Sequence, residues 1–168
     1  MSDFNEEPGT ITHEDGRYIA VLTRYIGHSK EAVWAMLTEP GKFVDWLAPG
    51  EIELRTGGRA SINFVDSGIV IDSEVKECRE FEVLEYSWSS DGEPSRPVRY
   101  ELAVKNNAVE LTIILETPDD EDIARSCAGW EAHLMMLMAA IEGVPIKFPF
   151  ERFQQTRGGY NEIVAALA

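Results

Sequence analysis

The residues of this chain best suited to chemistry are His133, the carboxylates Asp72, Glu74 and Glu101, and the phenol of Tyr100. His133 flanks an apolar helical stripe. A histidine there titrates near neutrality and suits the role of a base or of a hydrogen-bond donor to a ligand. Asp72 and Glu74 sit in one strand-like stretch, and Tyr100 and Glu101 open another. A carboxylate turned inward from such a strand would have a raised pKa and could do acid–base work. Against this, lone histidines are more often satisfied core groups, and in a chain with 30 acidic residues most carboxylates coat the surface. His13 and His28 fall in loops with no evident partner and are read as solvated.

Other chemistries lack their signatures. There is no Gly-x-Ser-x-Gly elbow for a serine nucleophile, and Gly57-Gly58 and Gly158-Gly159 are turn glycines without the phosphate-loop pattern. Cys78 and Cys127 have neither CxxC spacing nor paired histidines nearby, so they read as buried, reduced thiols. The acidic run Pro118 to Asp122 lacks the EF-hand pattern and suits the positive end of a helix dipole instead. No metal and no cofactor are expected. Trp34, Trp46, Trp88 and Trp130 are core volume first, with Trp46 the best candidate for a ligand-stacking group.

The elements that must position these groups follow from periodicity. Arg17 to Ile26 reads as a strand with Ile19, Val21, Thr23 and Tyr25 on one face. Ser29 caps a helix whose apolar face is Val33, Trp34 and Leu37; Pro40 opens a second short helix carrying Phe43, Trp46 and Leu47. Period-two stretches then predict strands over 51–55, 59–65, 68–77, 82–89, 98–105 and 109–116, joined by short turns that favour an antiparallel meander. A long helix runs from the acidic start to about Glu142, with Ile123, Cys127, Trp130, Leu134, Leu137, Met138 and Ile141 toward the sheet. Its other side, Ala128, Ala132, Met135 and Ala139, is too apolar for water. A short helix at Tyr160–Leu167, beyond a flexible Gly158-Gly159, is the expected cover, and a second subunit in a homodimer is the alternative.

Composition sets outer bounds. The 168 residues fit one domain, and 44% hydrophobic with 27% charged residues is ordinary for a globular chain. A net charge of -15 opposes nucleic acid and anionic lipid surfaces, so neither nucleic acid nor membrane is an expected partner. The N-terminal residues show no basic and apolar signal-peptide regions, and the longest apolar run, Leu134 to Ile141, is far short of a span, which predicts a cytoplasmic protein.

Several of these stretches occur together in a known order. Val33-Trp34, Leu37-Thr38-Glu39-Pro40, Trp46, Gly57-Gly58, Gly68, Leu84-Glu85-Tyr86-Ser87-Trp88 and Gly129-Trp130 with Leu134 and Leu137 resemble the AHSA1-like branch of the SRPBCC, or START-like, superfamily. The resemblance spans Arg17 to Gly143. It implies an α+β helix-grip fold, in which a seven-stranded antiparallel sheet wraps a long C-terminal helix, with residues 1–16 a flexible lead and 144–168 an extension packed on the domain. It also implies a hydrophobic pocket between sheet and helix. Trp46, Phe64, Trp88, Tyr100, His133 and Leu137 are expected to face that cavity, of roughly 300–1,000 Å³, around a small hydrophobic ligand. The family shares no catalytic residues, so no catalysis is assigned. Alternatives are an Hsp90-type chaperone cofactor or stress-response interaction module, and a cyclase-like or hydrolytic enzyme, which would need inward acids or histidines.

Overall fold

Alternation along the middle of the chain demands strands with one dry face, and the computed structural model, which describes residues 7–167, forms them into one antiparallel sheet. β1 (Thr10–Glu14) and β2 (Arg17–Ile26) are followed by α1 (Lys30–Thr38) and α2 (Pro40–Phe43). Then come β3 (Gly50–Ile52), β4 (Arg59–Phe64), β5 (Ile69–Arg79), β6 (Val83–Ser87), β7 (Pro97–Lys105) and β8 (Ala108–Pro118), before α3 (Ile123–Ile141) and α4 (Phe150–Ala165). In space the strands run β1-β2-β8-β7-β6-β5-β4-β3, so β3 to β8 are a meander and β2 returns beside β8. This is the helix-grip α+β fold, with eight strands among the described residues rather than seven.

The additional strand is β1, in a stretch read from sequence as flexible lead; residues 1–6 of that lead lie outside the described residues. Thr10 to Glu14 pairs with Val21 to Arg17, and Asp15 and Gly16 take φ of 49° and 77°, the geometry of a two-residue hairpin turn. Only Ile11 of the strand is buried, so there was no alternation to reveal it. In β2 the dry face is Ala20, Leu22, Arg24 and Ile26; Ile19, Val21, Thr23 and Tyr25 do share a side, but it is the outer one. Elsewhere the apolar alternation marks the inner face, as in Val109, Leu111, Ile113 and Leu115 of β8.

Side-chain caps fix the starts of α1 and α3. Ser29 Oγ accepts from Ala32 N–H at 3.1 Å, and Asp122 accepts from Arg125 N–H at 3.1 Å, satisfying donors that helix ends leave free. Trp46 lies in the turn after α2, not within it.

The C-terminal segment departs most from the sequence reading. Gly158 and Gly159 are inside a continuous α4, not a hinge before a short helix. The reason is tertiary anchoring. Tyr160 is 1% exposed, and its hydroxyl donates to Glu131 Oε2 at 2.5 Å and accepts from Gly9 N–H at 2.7 Å, while Arg157 reaches Asp122 at 2.9 Å. These contacts outweigh a helix-propensity cost of about 1 kcal/mol per glycine. With α4 in place, Ala128 and Ala132 are fully buried and Met135 remains exposed.

Candidate functional site

Three parts of the fold converge between the sheet and α3. The inner face of β6 and β7 supplies Tyr86 and Tyr100, α3 supplies Trp130, His133 and Leu137, and the rim supplies Phe64 at the end of β4, Trp88 just after β6, Trp46 after α2, and Phe148 before α4. Trp130 is the hub. Its ring centroid lies 4.9 Å from Trp88, 6.0 Å from Tyr100 and 6.3 Å from His133, all in edge-on arrangements that aromatic quadrupoles favour. Phe64 lies 5.8 Å from both Trp88 and His133, and Phe148 lies 5.5 Å from His133.

Polar atoms in this aromatic volume are few and positioned. Trp46 donates its indole N–H to the Met36 carbonyl at 2.7 Å, and its own carbonyl oxygen lies 2.8 Å from His133 Nδ1. A carbonyl only accepts, so Nδ1 carries the proton, and the neutral ring leaves Nε2 as a bare acceptor. Burial holds the His133 pKa below its ordinary value, with the Trp46 carbonyl opposing. Across Trp130, the hydroxyls of Tyr86 and Tyr100 meet at 2.9 Å. Both phenols are raised above their ordinary values, chiefly by burial, and stay protonated.

The six residues expected around a cavity thus occupy one region, but as a packed cluster. Phe64, Trp88, Tyr100 and His133 join through ring contacts, Trp46 joins through its carbonyl, and Leu137 is buried one helical turn beyond His133. Trp46, Tyr100 and Leu137 are at most 1% exposed. Hollows of about 290 and 310 Å³ lie elsewhere: beside Arg79, Glu101 and Thr112, and between Pro8 and α4. In this structure the rings expected to line a cavity are packed against one another.

The candidate acids do not join the cluster. Asp72 and Glu74 are exposed and alternate with the buried Ile71, Ser73 and Val75; Asp72 is paired with Arg59 at 2.7 Å. Glu101 binds Arg99 at 2.6 Å. Nor are the outer histidines without partners, since His13 meets Asp119 at 2.9 Å and His28 meets Glu142. Cys127 is sealed, and burial pushes its thiol up to about 12; Cys78 is half-buried, its thiol also raised by desolvation. Site residues missed from sequence are Trp130, Tyr86 and Phe148. Trp130 sits three residues before His133 and Tyr86 lies diagonally across the β6–β7 pairing from Tyr100, so both could have been found by register. Phe148 has no such signal.

A profile of the family described as Activator of Hsp90 ATPase homolog 1-like protein matches residues 28–142, from the approach to α1 to the end of α3. The chain belongs to the AHSA1 family. Solved structures similar to this AHSA1 chain include EF2215 of Enterococcus faecalis, a conserved protein of unknown function, at 21% identity and a TM-score of 0.80, covering 98% of this chain and 94% of that one. CalU16 of Micromonospora echinospora gives 19% and 0.77, with 95% and 97% covered. DynU16, from the dynemicin biosynthetic locus, gives 24% and 0.70, with 79% of this chain and 49% of that one covered. At such identities the likeness shows the fold. No curated protein matches the chain. Among the described residues, no helix is long and apolar enough to cross a membrane.

Proposed function

We propose that this AHSA1-family protein binds a small, largely apolar aromatic molecule between the sheet and α3. The observation that carries the reading is the graded burial of the ring cluster. Tyr86, Tyr100 and Trp130 are sealed at the back, while Phe64, Trp88, His133 and Phe148 are only half-buried at the front. Phe148 belongs to the irregular stretch 142–149 between α3 and α4, so its ring can leave His133 without breaking a helix. A flat apolar guest taking its place would keep the edge-on contacts and lose little packing. The outward Asp72 and Glu74 favour binding over acid–base catalysis, and the origin of DynU16 in a biosynthetic locus supports a small-molecule guest for this fold.

The test is titration with naphthalene, followed by NMR of the aromatic side chains and by tryptophan fluorescence. Saturable shifts at Phe64, Trp88, His133 and Phe148 are expected, and Trp88→Ala should weaken them. Absence of saturable binding, or shifts confined to other surfaces, would refute the reading.

A further inference from the structure

A second opening lies away from the ring cluster and shares no residue with it. It is the hollow of about 310 Å³ between the N-terminal lead and α4, walled by Pro8, Gly159 and Ile163 over a floor of Glu131 and Tyr160. The floor is polar, but its hydrogen bonds are already committed. The Glu131 carboxylate holds Arg24 and the Tyr160 hydroxyl, and that hydroxyl accepts from Gly9 N–H at 2.7 Å. Thr156, also on the lining, donates its only proton to the Arg152 carbonyl at 2.9 Å.

Arg152 is the group left over. Its side chain lines the hollow half-buried, and its guanidinium has no partner among the described residues. Every other buried or half-buried arginine meets a carboxylate: Arg17, Arg24, Arg59, Arg96, Arg99 and Arg157. In a chain with 30 acidic residues against 15 basic ones, an unpaired half-buried guanidinium is an exception. Gly159 is another. Glycine weakens a helix interior, and an added Cβ here would meet nothing within 4 Å, so packing does not call for it. Its missing side chain keeps the hollow open.

The two exceptions border one space and define what fits it. A planar guanidinium matches a carboxylate through two parallel hydrogen bonds. A dianion is disfavoured, because no second cation lines the hollow among the described residues and the exposed Glu162 stands on its rim. The volume, at the lower end of the roughly 300–1,000 Å³ of small-ligand sites, admits a short body, and Pro8 and Ile163 give that body aliphatic walls.

We propose that this hollow is a binding site for a small monocarboxylate with a short aliphatic body. The carboxylate pairs with Arg152, and the chain lies along Gly159 between Pro8 and Ile163.

Titration with hexanoate, hexan-1-ol and hexyl phosphate, followed by NMR of the backbone amides and isoleucine methyls, tests it. Hexanoate should give saturable shifts at Gly159 and Ile163 and bind roughly fivefold tighter than hexan-1-ol, with hexyl phosphate no tighter than hexanoate. Arg152→Gln should bring hexanoate down to the level of hexan-1-ol. Glu162→Gln should tighten hexanoate about twofold and leave hexan-1-ol unchanged. Gly159→Leu should fill the space and abolish binding of both. No saturable binding, equal affinity for hexanoate and hexan-1-ol, tighter binding of hexyl phosphate, or an Arg152→Gln variant that keeps the preference would each overturn the inference. Shifts confined to Phe64, Trp88 and His133 would overturn it too, while leaving the aromatic site standing. The three probes on the unaltered protein read the inference even where a variant fails to fold.

Discussion

Glu131 should be the most sensitive single position for stability. Its side chain is 4% exposed and holds Arg24, itself 6% exposed, with one carboxylate oxygen, while the other accepts the Tyr160 hydroxyl. Glu131→Ala therefore does two things. It leaves a buried guanidinium supported only by the Thr23 carbonyl, at a cost of about 3–5 kcal/mol, and it strands a phenol O–H, at a further ~1–3 kcal/mol. The two overlap, because Tyr160 can rotate toward water once α4 loosens, so a total near 4–5 kcal/mol is expected. Against a typical stability of about 5–15 kcal/mol, that brings the chain close to unfolding. Urea denaturation followed by tryptophan fluorescence measures it. The control is Arg24→Met/Glu131→Leu, which removes both charges. It should recover the cost of the unpaired charge, about 3–5 kcal/mol, and keep only the ~1–3 kcal/mol of the stranded Tyr160 hydroxyl, since the larger cost lies in the unpaired charge rather than in losing the pair. A Glu131→Ala loss below ~1 kcal/mol, the range of a surface position, would refute the burial argument, as would a double variant no better than the single.

Trp130→Ala should cost about 3–5 kcal/mol by emptying the hub of the cluster, read by the same denaturation; a surface-like loss would show the ring is not packed against Trp88 and Tyr100. Gly158→Ala and Gly159→Ala should each raise stability by about 0.5–1 kcal/mol, because both sit inside α4 and an added Cβ meets nothing within 4 Å. A melting temperature that falls for both would mean that the helix is broken there. His133, whose folded pKa is lowered, contributes nothing above the unfolded pKa of about 6.5; as pH falls below that value the unfolded chain takes the proton first, and stability drops by up to ~1.4 kcal/mol per pH unit until the folded pKa is reached. His133→Asn should lose that part of the acid destabilisation, and identical pH–stability slopes in the two proteins would sink the assignment.

The sheet was legible because period-two alternation and turn glycines or asparagines are local signals. Asn106-Asn107, for instance, takes the left-handed φ values of 50° and 65° that a two-residue hairpin needs. β1 was illegible because an edge strand with a single buried residue, Ile11, has no second inward position to set a period. α4 was misread because Gly158-Gly159 is a strong local breaker, while Tyr160's contacts with Glu131 and Gly9 are long-range and leave no trace in spacing. The buried Arg24 was hidden likewise: on the dry face of β2 it looks like the polar partner in an alternation, and only Glu131, more than a hundred residues on, makes it tolerable there.

The site divides along the same line between local and long-range information. Residue types announced an aromatic interior, while the register of β6 against β7 and the turn of α3, which bring Tyr86, Tyr100, Trp130 and His133 together, are seen only in the structure. Whether such rings enclose space or fill it depends on their rotamers and on what covers the rim, which no spacing encodes. Here the ring covering His133 is Phe148, beyond residue 142 where the family match ends. The back wall, by contrast, is built wholly from residues inside the match. In this chain the part inside the match supplies the buried aromatic surface, and on the proposed reading the segment joining α3 to α4 controls access to it. Shortening or stiffening that segment in this chain should then change how fast a guest enters more than which guest is held, read by stopped-flow fluorescence with naphthalene.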